Sequence, residues 1–310
     1  MDRTDIKLLG QLAKGFSNFA HPSGPRGAYR RIAKSLGMDE ETVRKRIERL
    51  TSSGLLRGWN ALVNPHLFGV TIYALWIAPS SVVTTDDAIR KIRLVHGVSW
   101  IGREVGGTLG IGLFCENDRI FQKRVELIKE LTGATVIMTN SVVYPKPEVD
   151  LTHADWELIK KLRLDPSPPY NRLAQGMGVS SRTVMRRLTR LMEGKAIVFV
   201  SAIDFKRLEG ATAVDVFVFY AASKYKSAVD RGVFAKFQDY LWRAGWGGSV
   251  HGHFTFLVPS ASVAQEIVGA IGSMQGVQSV RFSFLYDSIS FWEETLDEMI
   301  RTKVDSGGRG

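Results

Sequence analysis

Apolar residues recur at helical spacing through residues 2–15, where Ile6, Leu8, Leu9 and Leu12 make one side of a helix. The spacing predicts further helices at 28–36 and 40–53. At about 100° per residue, Val43, Ile47 and Leu50 of the third helix fall on one face. Glu41, Arg44, Lys45 and Glu48 fall on the opposite face. A strand-like run follows at 55–63. The order then restarts: a helix at 153–162 carrying Trp156, Ile159 and Leu162, a second after residue 169, a third at 181–193, and a strand at 197–204. In the second third helix the apolar face is Val184, Leu188 and Leu191, and the opposite face is Arg182, Met185, Arg186 and Thr189.

The restart is a repeat. RIAKSLGMDEETVRKRIERL aligns with RLAQGMGVSSRTVMRRLTRL, and Ala33/Ala174, Gly37/Gly178, Thr42/Thr183, Arg46/Arg187 and Leu50/Leu191 keep one constant offset, as do Gly69/Gly210. A fixed offset over half a chain is a tandem duplication. Gly37 and Gly178 suit the position just past a helix end, and Asp39 and Ser180 suit the N-caps of the third helices. Helix, glycine turn, helix is the helix-turn-helix arrangement. The trailing residues of each copy are expected to form a short hairpin, the wing.

Residues 70–144 and 213–286 share a different plan. In the first copy it is a strand at 70–77, a helix at 86–95, strands at 98–105 and 109–115, a helix at 118–131 and a strand at 135–144. The second copy predicts a strand at 214–221, a helix at 229–242, strands at 248–250 and 253–258, a helix at 263–274 and a strand at 277–285. This is β-α-β-β-α-β, the ferredoxin-like order. The chain therefore reads as α+β, with two winged helix-turn-helix domains (1–69, 149–210) alternating with two ferredoxin-like domains (70–148, 211–290). A C-terminal helix and a disordered tail are expected over 291–310. Helices cover one face of a ferredoxin-like sheet. The runs TIYALWIA and VDVFVFYA are too apolar to leave the other face in water, so the two sheets are expected to pair within one chain or between chains.

Charge sharpens this picture. Of the 310 residues, 41 are Lys or Arg and 31 are Asp or Glu, a net charge of +10. Residues 1–69 hold 12 basic against 6 acidic residues, net +6, and 151–210 hold 11 against 6, net +5. Residues 70–150 balance at 9 against 9. The excess thus sits on the two helical segments, which points to a polyanion, most often nucleic acid. The single cysteine, Cys115, excludes an intrachain disulfide and a Cys-rich zinc site. The first residues lack a signal-peptide pattern and no apolar run is long enough for a membrane helix, so a cytoplasmic protein without cofactor or metal is expected.

The segments DRTDIKLLGQL, IAKSLGMDEETVRKRIERLTSSGLLRGWNALVNPHLFG and LAQGMGVSSRTVMRRLTRLMEGKAIVFVSAIDFKRLEG resemble the Lrp/AsnC family of transcription regulators. The resemblance implies a winged helix-turn-helix joined to a ferredoxin-like sensing and oligomerisation domain, with double-stranded DNA, a second copy of the fold and a small-molecule effector as partners. Two such units in one chain depart from the family's usual single unit.

In a helix-turn-helix the outward face of the third helix enters the major groove, where arginine pairs with guanine. The expected DNA-binding residues are Arg44, Lys45 and Arg49 in the first copy, and Ser180, Ser181, Arg182, Arg186 and Arg190 in the second. Arg49 and Arg190, at the edge of the face, suit phosphates. Glu41 and Glu48 repel phosphate, whereas no acid lies between Ser180 and Met192, so the second helix is expected to dominate. Candidate ligand-contacting residues are Arg103, the hairpin glycines Gly106 and Gly107, and His251 and His253, whose alternation puts both rings on one face of a strand. No catalytic constellation is evident. A second function class is similar in organisation: sirohaem decarboxylases, some of which are two fused units, for which His96, Arg103, His251 and His253 are candidates.

Overall fold

The computed structural model describes residues 1–13, 25, 27–142, 144–245 and 251–307. The first copy runs α1 (Arg3–Ala13), α2 (Ala28–Leu36), α3 (Glu40–Ser52), β1 (Leu56–Val63), β2 (Thr71–Ala78), α4 (Thr85–Ile92), β3 (Val98–Glu104), β4 (Leu109–Cys115), α5 (Asp118–Thr132) and β5 (Thr135–Val142). The second runs α6 (His153–Leu164), α7 (Tyr170–Met177), α8 (Ser181–Glu193), β6 (Ile197–Ile203), β7 (Thr212–Tyr220), α9 (Lys226–Phe237), β8 (Leu241–Gly245), β9 (His251–Val258), α10 (Ala261–Gly272) and β10 (Val277–Ser290), closed by α11 (Trp292–Gly307). The α+β class is as the sequence indicates. Most of the glycine-rich loop at 16–27 and the strand expected at 248–250 lie outside the described residues.

The contacts gather these elements into two units. One comprises Met1–Gln11, Val70–Val143 and Asp204–Phe291, and the other Leu12–Gly69, Tyr144–Ile203 and Trp292–Gly310.

In the first unit all eight β2–β5 and β7–β10 strands belong to one sheet, ordered β5-β2-β4-β3-β10-β7-β9-β8. The two ferredoxin-like copies meet where β10 pairs antiparallel with β3, Ser288 opposite Gly102 and Ile289 opposite Ile101. β10 is 14 residues long: its first part pairs with β7 and its last part reaches β3. Helices cover one side of each copy, over cores that include Leu75, Ile111 and Ile128 in the first and Val216, Phe256 and Ile267 in the second. The other faces meet each other. Trp76 of β2 lies edge-on to Phe217 of β7 with centroids 4.8 Å apart, and Ala74, Trp100, Met138 and Phe219 pack round them. An aromatic pair of this kind adds about 0.5–1.5 kcal/mol beyond its area. The N-terminal part of α1 joins this unit through a 2.7 Å ion pair from Lys7 to Asp239.

Two sequence expectations are corrected here. The helix expected to reach residue 242 ends at Phe237, although the i, i+4 apolar spacing of Val229, Val233 and Phe237 continues to Leu241, and Leu241–Gly245 is a strand. Pairing makes it so: Leu241 lies opposite Phe256 of β9 and Arg243 opposite Thr255.

The second correction lies in the other unit. Each basic segment supplies one strand and no hairpin of its own. β1 pairs antiparallel with β6, Trp59 opposite Ser201 and Val63 opposite Ile197. The chain cannot turn back after β1, because Pro65 opens a short 3-10 helix capped by the Asn64 side chain. Asn64 also donates to the carbonyls of Pro145 (2.9 Å) and Lys195 (2.8 Å), tying the copies together. α11 packs on α6, with Arg163 bonded to Asp297 at 2.8 Å. No helix among the described residues is long and apolar enough to cross a membrane.

Candidate nucleic-acid interface

Both turns are built as their residues dictate. Gly37 and Gly178 each adopt φ 65°, a left-handed conformation that costs glycine nothing and a side chain roughly 1 kcal/mol or more. Asp39 accepts from the Thr42 amide at 2.7 Å and Ser180 from the Thr183 amide at 3.1 Å, starting α3 and α8. Such caps contribute about 1 kcal/mol each. The Ser180 hydroxyl is therefore spent on the helix, and Ser181 is the exposed first residue of α8. Val43, Ile47 and Leu50 are buried on α3, and Val184, Leu188 and Leu191 on α8, which leaves the opposite faces outward.

On α8 that outward face carries Arg182, Met185, Arg186 and Thr189, all exposed. Neither Arg182 nor Arg186 has an ion-pair partner among the described residues. Met185, Arg186 and Thr189 line an open groove of about 750 Å³ together with Glu148 and Val149 from the linker between the halves. The linker is fastened there by a Glu148 amide bond to the Gly194 carbonyl and a Lys195–Glu148 ion pair.

Arg190 does not stand free for phosphate, as the sequence suggests. It pairs with Asp155 of α6 and donates to the Asp150 carbonyl at 3.0 Å. Arg187 takes the other Asp155 oxygen at 2.9 Å. Asp155 is fully buried, and its Oδ2 also accepts from the Thr152 amide (2.9 Å) and hydroxyl (2.7 Å). Burial pushes this carboxyl up, but the Thr152, Arg190 and Arg187 hydrogen bonds outweigh it and hold its pKa below the ordinary value.

On α3 the acid and the bases partner each other. Glu41 lies 3.4 Å from Arg44 and 3.8 Å from Lys45. All three are well exposed, so these pairs add little stability but draw positive charge off the face. Arg49 is exposed at the edge of this helix.

The candidate ligand residues separate into two places. Arg103 is held by Asp86 (2.8 Å) and Asp287 (3.3 Å). Gly106 and Gly107, at φ 93° and 86°, form the β3–β4 turn. His251 and His253 are buried on the face between the two half-sheets, against Phe219 and Phe217. His253 Nε2 lies 2.9 Å from Asp215, which also accepts from Thr255. Beside it the Trp76 indole donates to Glu104 at 2.9 Å, and its ring is 5.3 Å from that of His253. Burial first, and the Asp215 charge second, push the Glu104 carboxyl up to about 7. Burial would raise Asp215 too, but His253, Arg243 and the Thr255 bond outweigh it and lower its pKa. The sequence singled out His253 and missed Glu104, Asp215 and Trp76, whose juxtaposition comes only from strand pairing. No group of three or more His, Cys, Asp or Glu among the described residues is placed to hold a metal.

Residues 1–51 match the family of AsnC-type helix-turn-helix domains. The chain carries an AsnC-type helix-turn-helix. The match spans α1, α2 and nearly all of α3, and α6, α7 and α8 repeat the same order of three helices in the second copy. The HTH-type transcriptional regulator Ptr1 of Methanocaldococcus jannaschii is 35% identical over 95 residues, 30% of this chain and 58% of Ptr1. The chain thus spans under two-thirds of that relative. The HTH-type transcriptional regulator LysM of Sulfurisphaera tokodaii is 27% identical over 145 residues, 46% of this chain and 94% of LysM. A crystal structure of the siroheme decarboxylase NirDL shares the fold over 98% of this chain and 99% of its own, with 15% identity and a TM-score of 0.51.

Proposed function

We propose that the protein is a sequence-specific DNA-binding transcriptional regulator of Lrp/AsnC type, in which one chain supplies two reading helices. The observation that carries this is α8: capped, packed on its apolar side, and presenting Arg182 and Arg186 without carboxylate partners among the described residues. Arginine at those positions suits guanine O6 and N7 in the major groove. α3 presents Arg44, Lys45 and Arg49 beside Glu41 and Glu48, and its acids suit the amino group of cytosine. One chain holds two unlike helices, so its site consists of two unlike half-sites. The two ferredoxin-like copies, joined through β3 and β10, take the place of the second subunit, and a small-molecule effector acting through them would complete a regulator.

Binding to genomic duplex fragments, read by gel shift across a salt series, should fall with log salt at a slope of about 0.9 per neutralised phosphate. Arg182→Ala and Arg186→Ala should each weaken a selected site by about 1–3 kcal/mol. Lys45→Ala should do less, because Glu41 already offsets that charge. Binding that ignores salt, or equal losses at Lys45 and Arg186, contradicts the reading.

The full-length fold shared with NirDL and the buried His253–Asp215 and Glu104–Trp76 contacts favour a second reading, a tetrapyrrole decarboxylase. Incubation with sirohaem decides it: a change to a haem-like absorption spectrum supports the enzyme, and an unchanged spectrum the regulator.

A further inference from the structure

We infer that Asp155 is a positioning residue that holds Arg187 and Arg190 back from DNA, so that Arg182 and Arg186 are the α8 arginines that contact a duplex. The inference rests on the DNA-binding reading above and goes beyond it by dividing the four arginines of one helix into two roles.

The geometry argues as follows. Around α8, Arg182 and Arg186 lie about 40° apart, and Arg190 and Arg187 lie a further 40° and 100° round toward the buried side. Asp155 approaches from α6 on that flank, fully buried, with one oxygen for each arginine. The carboxylate cannot turn away, because Oδ2 is also held by the amide and hydroxyl of Thr152 at the start of its own helix. Arg190 is fixed at its other nitrogen by the Asp150 carbonyl, and Arg187 by the Thr152 hydroxyl at 3.2 Å. Arg190 is bonded through both terminal nitrogens and Arg187 through Nη1, so moving either guanidinium outward to a phosphate breaks those bonds and leaves the carboxylate a buried unpaired charge. The knot also sets the angle at which α8 leaves α6, which fixes the register of Arg182 and Arg186 on base edges. A composition-based reading of α8 counts four free cations, whereas the structure leaves two.

The test is the salt dependence of duplex binding by the full chain, which a change in fold stability alone would not move. Arg186→Gln should lower the slope of log affinity against log salt by about 0.9. Arg190→Gln should leave the slope unchanged while weakening selectivity between a specific and an unrelated duplex. Asp155→Asn should steepen the slope by up to about 1.8, as two arginines become available, and should raise affinity for unrelated DNA. If Asp155→Asn does not fold, the Arg186 and Arg190 pair decides alone. An equal loss of slope in those two variants overturns the inference while leaving DNA binding intact. Absence of any duplex binding in the unmodified protein overturns both.

Discussion

Replacing Glu104 with glutamine should flatten the protein's stability profile between about pH 4.5 and 7, and make the variant more stable than the parent at pH 8 by about 3 kcal/mol. The sign follows from where the proton sits. Unfolded, Glu104 ionises near its ordinary value of 4.5. Folded, it holds its proton to about 7, because burial and then the Asp215 carboxylate oppose the charge. Between those values the unfolded chain releases a proton that the folded chain keeps, so stability falls as pH rises, and it levels off above 7. At 1.36 kcal/mol per unit the fall is about 3 kcal/mol. Glutamine keeps an oxygen to accept from the Trp76 indole and cannot ionise. Denaturant unfolding at pH 5 and pH 8 checks this. Parallel pH profiles for parent and variant would show that Glu104 is not the group responsible.

Gly112→Ala should cost about 3 kcal/mol or more. A Cβ there would stand 2.0 Å from Trp100 Nε1, 2.3 Å from its Cδ1 and 2.7 Å from Ser99 Oγ. Gly110, two residues earlier on β4, has Trp76 Nε1 and Trp100 Cζ3 at 2.9 and 3.0 Å from the same position. The two glycines thus form a bare track across which the Trp100 indole lies. Trp100 cannot simply swing aside, since its ring is in edge contact with Trp76, 6.2 Å between centroids, in the apolar layer between the copies. Overpacking a close-packed site of this kind costs about 1–3 kcal/mol, occasionally more. A control is Gly269→Ala on α10, where nothing lies within 4 Å of the added carbon and alanine should gain up to about 1 kcal/mol through helix propensity. The double variant Trp100→Ala/Gly112→Ala should lose less than Trp100→Ala and Gly112→Ala lose separately, because the two changes share one contact. Thermal melts of the four variants decide the matter. A Gly112→Ala protein as stable as the parent would refute the close approach.

What was legible in the sequence is what acts locally. The caps at Asp39 and Ser180, the turn glycines, the apolar faces of α3 and α8 and the constant offset between copies all depend on neighbours within a few positions, and each stands as read. Pairings over long separations were not legible. Nothing in residues 56–63 announces that their partner strand lies at 197–203 and not in a following hairpin. Similarly, no acid lies between Ser180 and Met192 of the sequence, and Asp155 pairs with two of the α8 arginines from a helix some thirty positions upstream. Nor does the sequence show that Gly110 and Gly112 of β4 make room for a tryptophan on the adjacent strand. Glu104 looked like an ordinary hairpin carboxylate until β2 brought Trp76 to it and the second copy brought Asp215.

The contact between Trp76 and Phe217 has a consequence for how such a chain can vary. These two residues occupy equivalent positions of the duplicated plan, 141 apart, and they touch each other. In an assembly of two identical chains, a side chain at that place would have to be its own partner. Any substitution there would appear on both sides at once, and only self-complementary shapes would survive. Covalent linkage of the copies removes that restriction. An indole can face a phenyl ring, an acid can sit on one side without meeting its twin, and a change in one reading helix need not be mirrored in the other. The protein keeps the form of a symmetric pair while being free to lose the symmetry one residue at a time.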